Sequence, residues 1–431
     1  MYKPRLHKSA TISAAVIATM AFTACGSSSE GGATGSATEI QMWSHMAGDP
    51  GQLEVLKKIV ADFNSSQDKY VLKEKSFPQD SYNDSVAAAA LASDLPCLLD
   101  ADGPQVPNWA WAGYLQPLGL PKEETDKLLP SAHGTYKDEL YTVGYWDDTL
   151  GLFSRKSILE KHGIRIATAE KPWSLEEFED ALTKLKEAGY KYPFNLGTGK
   201  SGEWWSYAYA PLLQSAGGDL IDRDTYKSSD GVLNSPESVE WGEWFQGLFT
   251  KGFADKAESE AREGFAQGTV PLTYDGSWKA LANLKTFGDD LVMMPPPDLG
   301  NGPKVSGASW QWGLSSACTG AEAEGAREYL KFSLKPEYIA AFSDLAGKIP
   351  ATDEGAKQSK HYGPDGQLAF YKSFTEDYGV LRPATPAYPF ISSTVRSAFQ
   401  DIMNGANVKQ TLDKAAQEID ANIKSNGDYG F

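Results

Sequence analysis

Short apolar runs alternate with amphipathic helical stretches along this chain, and that alternation limits its possible folds more than any other feature. Residues 39–43 (EIQMW) have the length and composition of a strand, and apolar residues recur at helical spacing over 53–63. A second strand at 70–76, an Ala-rich helix at 80–93 and a third strand at 97–101 follow. Strand–helix–strand order is typical of parallel sheets covered by helices. The sequence therefore predicts an α/β fold.

The later part of the chain predicts further elements of both kinds. Residues 142–154 (TVGYWDDTLGLFS) are predicted as one long strand. The stretch 174–189 begins with the capping box S-L-E-E, which predicts a helix. In the predicted helix at 235–249, Trp241 and Trp244 are interpreted as packing residues because their neighbours repeat at helical spacing. Roughly 395 folded residues exceed what one hydrophobic core usually holds, so two domains are expected.

The first 24 residues form a predicted secretory signal. MYKPRLHK carries three basic residues and no acidic one, and the mostly apolar run SATISAAVIATMAFTA that follows is too short to span a membrane by itself. The run leads into FTAC, which resembles the bacterial lipobox with Phe in place of the usual Leu. That resemblance implies cleavage before Cys25 and attachment of lipid to it, whereas the alternative is a plain secretory signal with an incidental cysteine. Residues 25–37 (CGSSSEGGATGSA) are predicted to be a flexible tether.

Charge and cysteine content limit the classes of partner and of site. The formal net charge is −17, and removal of the leader's three basic residues makes it more negative, which argues against nucleic acid and anionic lipid as partners. Cys97 and Cys318 are left in an oxidising compartment, either as one disulfide or as two buried thiols. The five histidines have no metal-ligand spacing and no P-loop, GxSxG or HExxH motif occurs, so neither a metal nor a cofactor is expected.

Aromatic residues stand beside polar ones where the predicted elements end. In open α/β sheets a ligand is bound beyond the carboxyl ends of the strands. A sugar ring stacks its apolar face on an aromatic ring, and its hydroxyls bind carboxylates, amides and guanidinium groups. Any one of these tryptophans is as well explained by core packing, but eight of the twelve occur in this setting, which favours a sugar site. The places are 43–45, 102–104 with 108–109, 145–148, 203–205, 274–278 and 309–312.

Six stretches together resemble the extracellular solute-binding proteins, of the maltose-binding-protein type, that deliver sugars to ABC transporters. They are DADGPQVPNWAWAGYLQPL, GEWWSYAYAPLLQSAGGDLIDR, LTYDGSW, GASWQWGLSSAC, GKIPATDEG and RPATPAYPF. These stretches are spread over the folded part of the chain, so the resemblance is global. It implies a two-domain fold of the periplasmic-binding-protein type, whose hinged domains close on a ligand held in the cleft between them.

The family resemblance also implies domain bounds and a cysteine pairing. The chain is expected to cross between the domains near 147, 309 and 347. The N-terminal α/β domain then consists of 38–147 plus 310–347, and the C-terminal α/β domain of 148–309 plus 348–431. Because this assignment puts both cysteines on neighbouring strands of the first domain, it implies a Cys97–Cys318 disulfide.

A set of ligand-binding residues follows from the same resemblance. Asp102 and the turn at 108–109 match hydroxyl-binding positions of the first domain, and Asp148 matches a carboxylate on a crossing strand. Trp278 matches the principal stacking ring of the second domain. The full expected set is His45, Asp102, Asn108, Trp109, Trp146, Asp147, Asp148, Glu203, Trp204, Trp205, Asp275, Gly276, Trp278, Trp310, Gln311, Trp312, Lys348 and Arg382.

Helix geometry separates the two adjacent tryptophans at 204 and 205. Neighbouring residues of a helix point about 100° apart, whereas residues three or four apart share a face. Trp204 therefore groups with Tyr207, and Trp205 with Tyr209. We expect Trp204 to contact the ligand and Trp205 to pack in the core, with the reverse as the alternative.

The expected function is capture of an oligosaccharide of two to four sugar units, which the protein passes to the permease subunits of an ABC importer. The protein is expected to be a monomer, lipid-anchored on the outer face of the bacterial cytoplasmic membrane, that closes on its ligand without covalent chemistry. One alternative is a secreted glycoside hydrolase with Asp148 and Glu203 as its carboxylate pair, since Asp147 and Asp148 would point to opposite faces of a strand. A peptide, polyamine or metal ion as the ligand is the second alternative.

Overall fold

The computed structural model describes residues 37–257, 261–307 and 309–430. The predicted signal peptide, the lipidation site Cys25 and the tether up to residue 36 therefore lie outside the described residues.

Strands and helices alternate along the described residues, which confirms the predicted α/β class. The strands are β1 (Thr38–Ser44), β2 (Tyr70–Ser76), β3 (Leu98–Asp102), β4 (His133–Tyr136), β5 (Glu139–Gly144), β6 (Trp146–Asp147), β7 (Leu150–Arg155), β8 (Phe194–Asn195), β9 (Leu272–Gly276), β10 (Leu291–Met294), β11 (Val305–Ser306), β12 (Trp310–Leu314), β13 (Ile349–Pro350) and β14 (Gly379–Val380). The α-helices are α1 (Pro50–Ser66), α2 (Gln79–Leu91), α3 (Val106–Trp111), α4 (Lys122–Thr125), α5 (Lys156–Lys161), α6 (Leu175–Glu187), α7 (Trp204–Ser215), α8 (Pro236–Thr250), α9 (Ala261–Ala266), α10 (Ala280–Phe287), α11 (Gly320–Ser333), α12 (Pro336–Ala346), α13 (Asp353–Gln358), α14 (Ala369–Tyr378), α15 (Tyr388–Asn404) and α16 (Val408–Ser425).

A six-stranded sheet is built from the start of the chain and from one later strand. Its order is β2-β1-β3-β12-β5-β4. The strand β1 pairs in parallel with β2 and β3, as the strand–helix–strand pattern predicts, whereas β12 runs antiparallel between β3 and β5. Apolar residues of α1, α11 and α12 pack with this sheet in one core. The carboxyl ends of β1 and β3 therefore lie side by side.

The second large sheet has four strands in the order β10-β7-β9-β8. Helices α6, α7, α8, α15 and α16 supply much of the core that packs against it. Ser174 caps α6 and forms the predicted capping box with Glu177. Trp241 is buried in this core and Trp244 packs against it, so their interpretation as packing residues is confirmed.

The stretch 142–154 is three strands, so its prediction as one long strand is wrong. The strand β5 ends in the six-stranded sheet and β7 begins in the four-stranded sheet. Between them, β6 pairs with β13, Asp147 opposite Ile349 and Trp146 opposite Pro350. A second two-stranded ribbon joins β11 to β14. An apolar run that passes from one sheet to another has the same composition as a continuous strand, and this explains the error.

A disulfide bond joins Cys97 to Cys318, across a sequence separation of 221 residues. Cys97 stands directly before β3, and Cys318 follows β12, its antiparallel neighbour. The bond therefore joins the chain before β3 to the chain after β12 at one end of this strand pair. The alternative of two free thiols is excluded.

Loss of this bond should lower stability without unfolding the protein. Because the bond closes a long loop, we expect the Cys97→Ala/Cys318→Ala variant to lose about 2–4 kcal/mol in the free energy of unfolding. Denaturant titration followed by circular dichroism measures the loss. Reductant should shift the wild type to the midpoint of the variant and leave the variant unchanged; equal midpoints for oxidised wild type and variant would contradict the expectation.

Candidate ligand-binding cleft

A cleft of about 970 Å³ is lined by residues at the ends of elements from both sheets. It brings together ten of the expected site residues, and the other eight do not line it. The ten are His45, Asp102, Trp146, Asp148, Glu203, Trp204, Trp278, Trp310, Lys348 and Arg382. The eight are Asn108, Trp109, Asp147, Trp205, Asp275, Gly276, Gln311 and Trp312.

Three tryptophans of the expected set lie in hydrophobic cores. Trp205 packs in the core of the four-stranded sheet, and Trp312 packs beneath the six-stranded sheet. Trp109 packs in a smaller cluster with residues of β3. Burial of these three rings removes apolar surface from water, so they stabilise the fold and do not line the cleft.

Three polar members of the expected set are held by other parts of the protein. The amide of Asn108 donates to the carbonyl oxygen of Pro386 at 2.8 Å. The amide of Gln311 donates to the carbonyl oxygen of Ser131 at 2.7 Å, and the hydroxyl of Ser131 donates to Asp147 Oδ2 at 2.6 Å. These side chains connect segments around the cleft.

Trp278 lies across the backbone of Gly276. A Cβ atom added at Gly276 would overlap with Cε3, Cζ3 and Cη2 of the indole, so only glycine admits the ring in this position. The neighbouring Asp275 accepts from the Gly276 amide at 2.8 Å and from Lys200 Nζ at 3.0 Å. Asp275 and Gly276 thus position groups of the cleft without lining it.

Helix α7 separates its aromatic residues as the helical period predicts. Trp204 and Tyr207 line the cleft, whereas Trp205 and Tyr209 are fully buried in the core. The indole of Trp204 donates to the carbonyl oxygen of Leu196 at 3.0 Å, which fixes its orientation. The sequence-based choice of Trp204 over Trp205 for the cleft agrees with this arrangement.

On the side of the first sheet, a histidine and a tryptophan form a stack. The ring of His45 lies on that of Trp310 with centroids 3.8 Å apart and planes 20° apart. Its Nδ1 is 2.6 Å from Asp100 Oδ2, which fixes the imidazole. Tyr82 meets the edge of Trp310. One face of Trp310 is therefore covered by protein.

Two sets of buried ion pairs lie at the back of the cleft, one around Arg382 and one around Lys348. Arg382 binds Asp102 through two hydrogen bonds of 2.8 and 2.9 Å and binds Glu203 Oε1 at 2.9 Å. Lys348 Nζ is 2.6 Å from Asp148 Oδ2. Burial raises the pKa of Asp148, and the positive charge of Lys348 opposes that rise. Burial likewise raises the pKa of Glu203, against the effect of Arg382 and with that of Asp102.

Several cleft residues were not found from the sequence. They come from the first two turns of α1 and α2 and from α15. Asp49, the N-cap of α1, lies five residues after the end of β1, and this spacing is the one signal that predicts it. The missed residues include Asp49, Gln52, Asp80, Asp84, Ser392 and Arg396. Among the described residues, no group of three or more His, Cys, Asp or Glu side chains is arranged to hold a metal ion.

Residues 58–387 match the model of a family described as bacterial extracellular solute-binding protein. The sn-glycerol-3-phosphate-binding periplasmic protein UgpB of Pectobacterium atrosepticum is 25% identical over 256 residues, which are 55% of this chain and 54% of that protein. The protein of the same name from Yersinia pestis bv. Antiqua is 23% identical over 355 residues, 76% of this chain and 77% of that protein. The chain therefore spans about half the length of the first relative and about three quarters of the second.

A solved structure shares the fold of this chain. The cyclic alpha-maltosyl-1,6-maltose binding protein from Arthrobacter globiformis aligns with a TM-score of 0.76 at 22% identity, covering 90% of this chain and 100% of that one. The likeness confirms the expected two-domain α/β fold of the periplasmic-binding-protein type.

Substitution of Gly276 should displace Trp278. The Gly276→Ala variant places a methyl group where the indole lies, and because the ring is the end of a side chain at the cleft surface, we expect it to rotate away with little loss of stability. Near-ultraviolet circular dichroism and thermal melting measure the two effects. Gly247→Ala, at a helical position with open space around it, is the control and should change neither by much. An unchanged aromatic spectrum in Gly276→Ala would contradict the described position of Trp278.

Proposed function

Since this chain belongs to the bacterial extracellular solute-binding protein family, we propose that it captures an oligosaccharide of two to four sugar units in the cleft and delivers it to the permease of an ABC importer. The observation that carries the proposal is the lining of the cleft, where aromatic rings stand beside buried polar atoms that have no partner. The rings are Trp146, Trp204, Tyr207, Trp278 and Trp310. The volume of the cleft is at the upper end of the range of about 300–1,000 Å³ found for ligand pockets.

Unpartnered polar atoms at the cleft supply what sugar hydroxyls need. The Tyr207 hydroxyl, the Trp146 Nε1, the Gln52 Oε1 and the Arg382 Nε are buried and have no hydrogen-bond partner in the described structure. Such atoms are destabilising unless something binds them. A ligand with many hydroxyls, each able to donate and to accept, satisfies donors and acceptors alike.

Trp278 is proposed as the principal stacking ring. Two other rings of the cleft already have a cation over one face: Lys200 Nζ is 3.5 Å from the Trp204 centroid, and Lys348 Nζ is 4.2 Å from that of Trp146. For Trp278 the nearest such cation, Lys348, is 5.8 Å from the centroid. Trp278 is also only partly buried, whereas Trp146 and Trp204 are buried, so it presents more of its surface to a sugar than they do.

The relative of known structure and the relatives by sequence point to different ligands. The Arthrobacter globiformis protein is described by its name as binding cyclic alpha-maltosyl-1,6-maltose, whereas the UgpB proteins are described as binding sn-glycerol 3-phosphate. The sequence relatives therefore make a phosphate ester the second candidate ligand. The aromatic lining favours the oligosaccharide, because a three-carbon phosphate offers no extended apolar face for stacking.

The glycoside hydrolase alternative draws no support from the two carboxylates on which it depends. Asp148 is bound by Lys348 and by the Ser277 hydroxyl. Glu203 is bound by Arg382 and by the hydroxyl groups of Tyr388 and Ser392. The proposed role requires binding and release of the sugar and no covalent step.

We propose that the domains have the bounds expected from the family, 38–147 plus 310–347 and 148–309 plus 348–431. The division is supported by the separation of the two sheets and by the two ribbons, β6 with β13 and β11 with β14, at the crossings between them. Ligand capture is then a rotation of one domain towards the other about these ribbons.

The protein is proposed to be lipid-anchored at Cys25 on the outer face of the cytoplasmic membrane, after removal of residues 1–24. The family itself is extracellular, and the FTAC motif is the observation that supports the anchor. None of the described helices is both long and apolar enough to span a bilayer. The predicted tether at 25–37 would hold the domains close to a permease.

Removal of the anchor is expected to change where the protein partitions. Wild-type protein from a lipoprotein-processing host should enter the detergent phase of a Triton X-114 extraction, because two or more acyl chains anchor stably. Cys25→Ala should remain in the aqueous phase, and the tether variant Ser28→Ala should behave as wild type. Aqueous partitioning of the wild type would contradict the anchor.

Two tryptophan variants separate a ligand-binding ring from a core ring. Calorimetry with a panel of α- and β-linked gluco- and galacto-oligosaccharides first identifies the tightest ligand. Trp278→Ala should then weaken its binding more than about tenfold while leaving the melting temperature nearly unchanged, because the ring is partly exposed. Trp205→Ala, the same change in the core, should cost about 3–5 kcal/mol of stability.

Either of two results would contradict the proposal. A large loss of stability in Trp278→Ala with unchanged affinity would assign that ring to the core. Failure of every sugar in the panel to bind, or steady release of shortened products, would count against an oligosaccharide receptor.

A further inference from the structure

Arg382 is the most heavily engaged cation of the cleft. Its Nη1 donates to Asp102 Oδ2 and to Glu203 Oε1, both at 2.9 Å, and its Nη2 donates to Asp102 Oδ1 at 2.8 Å. Only 5% of the Arg382 side chain is exposed. Because one guanidinium faces two carboxylates, these three residues, here called the charge cluster, have a formal charge of −1.

The carboxylate of Glu203 is the most exposed member of the charge cluster. Its side chain is 29% exposed and lines the cleft, whereas those of Arg382 and Asp102 are 5% and 11% exposed. Ser392 donates to Glu203 Oε2 at 2.7 Å, and Tyr388 donates to Oε1. These neutral donors orient the carboxylate but add no positive charge.

The second buried cation of the cleft is neutralised as well. Lys348 and Asp148 are each only 6% exposed and lie 2.6 Å apart, and the Ser277 hydroxyl donates to Asp148 at 3.0 Å. Among the residues that line the cleft, carboxylates also outnumber lysines and arginines. The back of the cleft therefore offers no positive charge that a carboxylate of the protein does not already balance.

A phosphate or carboxylate that entered this site would meet an unfavourable environment. To bind Arg382 it would have to displace Asp102 or Glu203, which would leave that carboxylate without its cation in a buried position. If it displaced neither, it would lie beside a cluster of the same sign, and like charges repel strongly where water is excluded. A hydroxyl meets neither obstacle, since it binds one of the two remaining N–H groups of Arg382 or the oxygens of Glu203 as a neutral group.

We propose that the Asp102–Arg382–Glu203 charge cluster makes the cleft selective for uncharged sugars and excludes phosphorylated or carboxylate-bearing solutes. Asp102 and Glu203 are then specificity-determining residues, since they withhold Arg382 from an anion. The proposal rests on the proposed function, because it concerns which solutes the same cleft takes.

The test measures the affinity for an anion, with sn-glycerol 3-phosphate as the probe and isothermal titration calorimetry as the method. Wild-type protein should bind it no more tightly than glycerol, with a Kd above about 1 mM. Glu203→Gln keeps the shape of the side chain and removes one negative charge, so it should bind the probe at least about tenfold more tightly than wild type. Asp102→Asn should show the same direction of change. Glu187→Gln, an exposed change of equal charge outside the cleft, should behave as wild type.

Each result supports or overturns the proposal. Wild-type protein that binds sn-glycerol 3-phosphate at least tenfold more tightly than glycerol overturns it, and so do folded Glu203→Gln and Asp102→Asn proteins with wild-type affinity for the probe. If neither variant folds, the wild-type comparison with glycerol decides. The sugar panel is a separate measurement: sugar binding without a gain of anion affinity in the variants sinks the charge selection alone, whereas a gain without sugar binding sinks the oligosaccharide receptor alone.

Discussion

The pairing of β6 with β13 is the constraint on which the rest of the structure depends, because it joins two separately built sheets at the cleft. A buried charged residue adjoins each strand: Asp148 directly follows β6, and Lys348 directly precedes β13. The two side chains are 2.6 Å apart. A buried ion pair adds little net stability but is costly to break, since either partner alone would be an unpaired charge in protein. The ion pair therefore fixes the register of the ribbon, and with it the position of Trp146 beneath Lys348.

The second ribbon, β11 with β14, also has a buried cation close to it, Arg382. Arg382 follows β14 by two residues and bonds to Asp102 at the end of β3, so it connects a crossing segment to the six-stranded sheet. The two buried cations of the cleft, Lys348 and Arg382, thus come from segments beside the ribbons, while Trp310 lies in the six-stranded sheet and Trp278 follows β9 by two residues. A ligand that touches the charged groups also touches the hinge, and this couples recognition to closure.

Local patterns sufficed for the fold class and for the choice between Trp204 and Trp205, because strand–helix alternation and the helical period act within a few residues. They did not distinguish Trp109 and Trp312 from cleft residues, since depth in a core depends on packing between distant elements. The bond between Asp102 and Arg382 joins positions 280 residues apart, and neither residue has a local signal of its partner. Charge compensation of this kind is decided in three dimensions and leaves no periodic trace in the sequence.

The disulfide between Cys97 and Cys318 sets an order of events during synthesis. A chain made from its N-terminus presents Cys97 on the outer side of the membrane long before Cys318, with all the strands of the four-stranded sheet between them. The central pair β3 and β12 cannot form until that inserted sequence has been exported. Throughout this interval Cys97 is a thiol open to exchange. Once an oxidant of the compartment has joined it to Cys318, the bond records that β3 and β12 have met after export of the strands between them.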